Sequence, residues 1–486
     1  MLSYIIAIDE GTTSTRAMLY DTDKKAFVDH ESRKLHQFYP KAGWVEEDAS
    51  EIYANTVAAL LDLSGRVEVK DVLSIAITNQ RETVIMWDRL TGRPVYNAIV
   101  WQCRRTADYC KEIPAEFVEK IRDKTGLVVD AYFSATKIKW LLNNVPEAKE
   151  LMENGRLCAG TVDSYLIFKL TGEFATDYTN ASRTMLFNIK TLGWDKELLD
   201  YFGIPESILP TVKSSTDIYG YTEILGKKIP VAGVAGDQQA SLFGQNCTSP
   251  GEAKITYGTG MFLLFNTGDT VCKSKTKMIT TIGYSVKDKI VYALEGSVFN
   301  AGSAIKWARD NLKLFDRSAA SERMALSVPD NGGVYVIPAF SGLGAPYWKA
   351  DATGIITGIT GGTNSDHIVR AILESMAYAA KDLCKNMEAD SGYDLAVIRA
   401  DGGASANDFL MQFQSDVLNV AIDRPLERES TALGAVYLSA IAINAMSEEE
   451  ADSLRKTEKL FVPSEDREKF ENYYKGYLKA IERCLL

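Results

Sequence analysis

Two short loops constrain this chain of 486 residues more than any other feature. Tyr4-Ile5-Ile6-Ala7-Ile8-Asp9 is an apolar run that breaks at Gly11-Thr12-Thr13-Ser14, and Arg16-Ala17-Met18-Leu19-Tyr20-Asp21 is a second such run. The pattern predicts strand, tight loop, strand. A P-loop or a dinucleotide-binding unit would open a helix after its glycines, so this hairpin is neither. The same grammar returns as Ala253–Tyr257, then Gly258-Thr259-Gly260, then Met261–Phe265. Two halves with one hairpin each predict an internally duplicated α/β fold. The division falls near Gln245–Gly251, where Asn, Ser, Pro and Gly gather, giving domains 1–245 and 246–486 packed around one cleft.

Between the hairpins the signals are ordinary. A strand is expected around Lys25–Val28. A helix capped by Asp48 or Ser50 should carry Ile52, Val57, Leu60 and Leu61 on one side. Val72–Thr78 reads as a buried strand. Ser365 or Asp366 should start a long helix with Ile368, Ile372, Met376, Ala379 and Leu383 as its stripe. The strand Ala396–Ala400 then ends in Asp401-Gly402-Gly403.

Composition excludes several classes. A net charge of −11 disfavours a general nucleic-acid binder, yet leaves room for ATP, whose phosphates are held locally by backbone N–H groups. Seven scattered cysteines without a C-x-x-C pair suggest neither a zinc site nor a disulfide framework. Met1-Leu2-Ser3-Tyr4 runs straight into a strand pattern, and no apolar run approaches the ~20 residues of a membrane span. A cytoplasmic protein with no membrane insertion is expected. The only histidines, His30, His36 and His367, occupy no catalytic setting, which argues against histidine-based chemistry.

The strand ends carry the chemistry. A hairpin tip can aim N–H groups and hydroxyls at phosphate oxygens, and a carboxylate such as Asp9 can hold Mg²⁺. Asp237, after the apolar run Val231–Val234, can act as general base toward a hydroxyl. Arg81 and Glu82 can hydrogen-bond a polyol, one donating and the other accepting. Each feature taken alone also fits a polar turn, a helix cap or a solvated ion pair. Trp101 and Tyr132 fit core aromatics equally well. Three Gly-rich strand ends together are what a nucleotide gripped between two domains requires.

At this point the chain resembles the FGGY carbohydrate kinases, in their glycerol-phosphorylating branch, from Ile5 to at least Leu438. The matching stretches are Asp9–Arg16, Asn79–Thr83, Trp101–Arg105, Tyr132–Lys137, Asp177–Thr184, Gly236–Gln239, Tyr257–Gly260, Ser341–Trp348 and Asp401–Gly403. The resemblance implies a two-domain actin/hexokinase-like (ribonuclease H-like) fold with an interdomain catalytic cleft. It implies transfer of phosphate from MgATP to glycerol, giving sn-glycerol 3-phosphate, by a homo-oligomer, dimer or tetramer. Position by position, it implies an acceptor pocket of Arg81, Glu82, Trp101, Tyr132, Asp237, Gln238 and Phe262, with Asp237 as base. For the nucleotide it implies Thr12, Thr13, Ser14, Arg16, Thr259, Gly302, Lys306, Gly403 and Asn407, with Asp9 near the metal. Glu10 stands where many members carry glutamine, and Lys306 where the resemblance leads one to expect a glutamine near the nucleotide. Glu10 is expected either to face away or to help hold the metal. The short segment Thr222–Ile229 lacks the insertion that binds fructose 1,6-bisphosphate in some members and the phosphorylatable histidine of others, so neither control is expected. The alternatives are an FGGY kinase for another polyol or ketopentose, and a non-catalytic actin-like sensor.

Overall fold

The computed structural model describes residues 3–349 and 351–486. The first lobe is built on the hairpin of β1 (Tyr4–Glu10) and β2 (Ser14–Asp21), continued by β3 (Ala26–Lys34). Helix α1 (Ala49–Ser64) leads to β4 (Val72–Asn79), and α2 (Ser134–Asn144) to β5 (Ile218–Thr222) and β6 (Ile229–Gly236). The short helix α3 (Asp237–Gly244) ends the lobe. The six strands order as β5-β6-β4-β1-β2-β3. β1 pairs antiparallel with β2 and parallel with β4, and β4 pairs parallel with β6.

The second lobe repeats this plan. It consists of β7 (Glu252–Tyr257), β8 (Met261–Gly268), β9 (Ile279–Val286), β10 (Lys289–Val298), α4 (Gly302–Asp310), α5 (Ser365–Ser391), β11 (Val397–Gly402), α6 (Asp408–Leu418), β12 (Ile422–Pro425), α7 (Ser430–Ala442) and β13 (Thr457–Phe461). The order is β9-β10-β8-β7-β11-β12-β13. β7 is antiparallel to β8 and parallel to β11, as β1 is to β2 and β4. The expected duplicated α/β architecture is thus the observed one.

Alternation along β1 places the cores. Ile6 and Ile8 pack with Ile52, Leu60 and Leu63 of α1. Ile5 and Ala7 point the other way, into a cluster with Ala240 and Leu242 of α3, Val436 and Leu438 of α7, and Leu264 and Ala293 of the second sheet. Helices α3 and α7 therefore form a layer shared by both sheets. They cross closely: a methyl group built on Gly434 would stand 1.8 Å from the Ala240 carbonyl.

Local expectations shift at the edges. The third strand runs on to Lys34, because edge pairing with β2 needs no apolar run. Asp48 caps α1 by accepting from the Ser50 amide, but Leu61 faces solvent and Leu63 takes the inner position. Asn364, rather than Ser365 or Asp366, caps α5.

Candidate active site

Arg81, Glu82 and Asp237 follow the ends of the parallel strands β4 and β6, the edge where open α/β sheets place ligands. Asp237 is the first residue of α3, and its Oδ1 accepts from the Gln238 amide at 2.7 Å. Its side chain keeps 32% of its surface open, so the carboxylate faces free space. Burial raises its pKa above the usual aspartate value of 3.8, against the opposing pull of Arg81 and Lys254. Arg81 Nε lies 3.2 Å from Asp237 Oδ1. The rest of the Arg81 fork is spoken for. Nη1 donates to Glu295 Oε2 at 2.5 Å and to Gln239 Oε1 at 3.2 Å. Nη2 donates to Glu295 Oε1 at 3.0 Å and to the Tyr132 hydroxyl at 3.4 Å.

Glu82 holds a left-handed backbone (φ 59°), which costs a non-glycine residue energy and needs support from its surroundings. Support comes from below: buried Lys137 of α2 donates to the carbonyls of Glu82 (3.1 Å) and Phe133 (3.3 Å) and to that of Tyr132. Burial lowers the Lys137 pKa to about 8, against the opposing pull of Glu82. The Glu82 side chain accepts from Arg183 Nε at 2.6 Å.

Aromatic rings form the pocket wall. Trp101 meets Tyr132 edge-on at 5.6 Å between centroids, and Phe262 of β8 at 6.4 Å. Trp101 Nε1 also donates to Thr12 Oγ1 at 3.0 Å, tying this wall to the first hairpin. Two lobes therefore supply one pocket.

The first hairpin is closed by the Gly11 amide on the Ser14 carbonyl (3.0 Å), and Thr13 stands exposed at its tip. Asp9 and Arg16 are ion-paired, and Arg16 Nη1 reaches Glu429 of the second lobe at 2.7 Å. Burial raises the Asp9 pKa, while Arg16 opposes the rise. Glu10 turns away from the loop into the core, fully buried, against the hydroxyls of Thr15 (2.9 Å) and Thr56 (3.5 Å). It is not placed to hold a metal beside Asp9. No group of three or more His, Cys, Asp or Glu able to hold a metal ion occurs among the described residues. A Mg²⁺ that keeps several waters and takes phosphate oxygens needs only one or two carboxylates, and Asp9 at a strand end fits that donor set.

The second hairpin anchors α4. The amide of Gly302 donates to the Gly258 carbonyl (3.1 Å), and those of Ala301 and Ser303 donate to Thr259 (3.0 and 3.1 Å). A methyl group on Gly302 would lie 2.4 Å from the Gly258 oxygen, so only glycine permits this approach. Gly402, at φ 83°, sits as closely on Tyr257, and brings Gly403 beside the hairpin. Asn407 caps α6 through the Leu410 amide (2.9 Å). Lys306 points to solvent one turn into α4. Gln238 turns its side chain to the buried Lys254 rather than to Arg81.

Four buried charges near this pocket carry no role in the sequence reading: Lys137, Arg183, Lys254 and Glu295. Burial lowers the Lys254 pKa to about 8. Burial also works against ionised Glu295, yet Arg183 and Arg81 hold it down at about 2. A lone charge within each apolar strand run, Ala253–Tyr257 and Ile290–Val298, was the available signal.

Known proteins resemble this chain over its whole length. Residues 4–244 match the model of the N-terminal domain of the FGGY family of carbohydrate kinases, and residues 253–443 match its C-terminal domain. A curated protein named glycerol kinase from Carboxydothermus hydrogenoformans is 52% identical, over 99% of this chain and 98% of its own length. Another of that name from a Thermoanaerobacter species is 53% identical, over 100% and 99%. Among solved structures, Plasmodium falciparum glycerol kinase with ADP superposes with a TM-score of 0.94 at 39% identity, covering 100% of this chain and 99% of that one.

Proposed function

The chain belongs to the FGGY family of carbohydrate kinases, and from that premise we propose that it transfers the γ-phosphoryl group of ATP to glycerol, giving sn-glycerol 3-phosphate and ADP. The observation that carries the acceptor assignment is the convergence of Arg81, Tyr132 and Asp237 beside the rings of Trp101 and Phe262. Its rings suit a short carbon chain and its polar groups suit hydroxyls. It has the makings of a three-carbon site.

In this reading residues 1–245 supply the acceptor and phosphate side and residues 246–486 the nucleotide side. A glycerol hydroxyl oxygen forms the new bond to the γ-phosphorus as the bond to the β,γ-bridging oxygen breaks, and that electron pair leaves on ADP. Asp237 takes the hydroxyl proton. Its raised pKa makes it a better acceptor than an exposed aspartate, and Arg81 keeps it ionised until substrate arrives. Glu82 and Gln238 complete the acceptor contacts. Thr12, Thr13, Ser14, Arg16 and Thr259 face the phosphates, and Gly302, Lys306, Gly403 and Asn407 the nucleoside side. Asp9 would hold Mg²⁺, which offsets phosphate charge. Phosphoryl transfer asks mainly for such alignment and charge placement. Seven free cysteines, six of them buried, suit a reducing compartment, so we place the reaction in the cytoplasm, with a homo-oligomer as the working form.

ADP release measured across glycerol, xylulose and gluconate tests the assignment. Glycerol should give the highest kcat/KM. A higher value for xylulose or gluconate would move the substrate within the family, and no turnover on any would favour a sensor.

A further inference from the structure

A buried cluster of four charges beside the acceptor site contains two residues to which the mechanism above gives no task. Arg81 donates to both oxygens of Glu295. Glu295 Oε1 also accepts from Arg183 Nη2 at 3.0 Å. Arg183 Nε donates to Glu82 at 2.6 Å, and Glu82 returns to within 4.0 Å of Arg81 Nε. The four side chains thus alternate in charge around a closed ring, and all are at most 3% exposed. Arg81 faces the acceptor pocket through Nε beside Asp237, and the proposed function assigns Glu82 to the same pocket. The other two sit behind it on different lobes: Arg183 follows the first lobe's segment Tyr178–Ala181, and Glu295 belongs to β10 of the second.

We propose that Arg183 and Glu295 are positioning residues of the acceptor site, a clamp that fixes Arg81 and Glu82 from opposite lobes and so sets the affinity for the small polyol. Three observations point the same way. A guanidinium held on both oxygens of one carboxylate cannot swing, so Arg81 presents only its Nε and the outer side of Nη2 toward Asp237 and Tyr132. Arg183 lies 5.7 Å from the Tyr132 ring centroid and 5.3 Å from that of Phe133, so it also backs the pocket's aromatic wall. The ring carries no net charge, so it adds little long-range attraction for an anionic acceptor over a neutral one.

This inference rests on glycerol being the acceptor, and the test separates the two. The variants are Glu295→Asp, which keeps the charge but shortens its reach, and the double Arg183→Gln/Glu295→Gln, which removes one charge of each sign and leaves the remaining pair neutral. The expected result is a glycerol KM raised at least tenfold in both, with the KM for ATP within twofold of the parent. A folded double variant with glycerol KM within twofold of the parent would overturn the clamp. So would KM values for glycerol and ATP rising in parallel, which is general loosening. If the double variant does not fold, Glu295→Asp decides by the same criteria. A parent chain that releases no ADP with glycerol overturns the acceptor assignment and this inference with it. An active parent with unaltered variants overturns the clamp alone.

Discussion

At the scale of single residues, burial decides what each carboxylate does. Asp237 is partly open and balanced by Arg81 and Lys254, so it ionises, but at a higher pH than a free aspartate. A base works deprotonated, so activity should be lost as the pH falls through that raised value. The acid limb of the kcat/KM profile, which reports the free enzyme, is expected above 3.8. Asp237→Asn should lower kcat by about 10²–10⁴-fold, the usual share of a positioned base, with little change in glycerol KM. Steady-state kinetics across pH checks both. Glu10 shows the opposite case. It is fully buried without a cation, with Glu47 and Asp9 adding repulsion, and desolvation raises its pKa well above 4.5. The folded chain keeps a proton that the unfolded chain gives up above 4.5. The resulting stability is complete below that pH and is lost as the pH rises through the folded value. Thr56 spends its single hydroxyl proton on the Ile52 carbonyl at 2.9 Å, so its oxygen is free to accept from a neutral side chain at position 10. Glu10→Gln should therefore be more stable than the parent at pH 8, by about 1–3 kcal/mol, the cost of one buried unsatisfied group. Its denaturation midpoint should change less between pH 5 and 9.

At the scale of elements, the proposed function puts ATP on the two hairpins and the helix ends that rest on them. The sequence announced both hairpins, because glycine and threonine between apolar runs leave few other solutions. It did not announce that α4 would start against the second hairpin. That contact depends on Gly302 meeting the Gly258 carbonyl, which is a fact of approach rather than of local propensity. Gly302→Ala forces a methyl group into that gap, and strain of this kind costs about 1–3 kcal/mol. The KM for ATP should rise about tenfold or more, since 1.4 kcal/mol is tenfold. Glycerol KM should change less, because Arg81, Tyr132, Asp237 and Trp101 lie on the first lobe and only Phe262 adjoins this hairpin. Kinetics with each substrate saturating in turn separates the two effects.

At the scale of the whole molecule, the lobes share a layer. Helix α7 comes from the second half of the chain but packs on β1, β4 and β6 of the first sheet and on α3. Ser74 of β4 and Ser439 of α7 are hydrogen-bonded at 2.7 Å. Arg16 adds a polar strap by joining Asp9 to Glu429. A fragment of residues 1–245 would leave Ile5, Ala7, Ala76 and Ala235 without their α7 partners. We expect it to aggregate or to bind a hydrophobic dye strongly, whereas the intact chain stays dispersed and unfolds in one transition. Size-exclusion chromatography and dye fluorescence check this. A dispersed, cooperatively folding fragment would refute the shared layer as an energetic unit.

The amino-acid order alone determined the hairpins, the duplicated strand plan and the long α5 helix, and it marked Asp237, Arg81 and Trp101 as candidates. These are written in neighbours along the chain, in alternation and in glycine placement. The tertiary structure alone decided which charges face one another. Glu295 stands 214 positions from Arg81 and 112 from Arg183, and sequence spacing says nothing about pairs so distant. Whether Glu10 served the metal or the core was likewise open until α1 closed over it. Local patterns fix elements because their causes are local. Electrostatic partnership in a buried site depends on how distant strands are brought together.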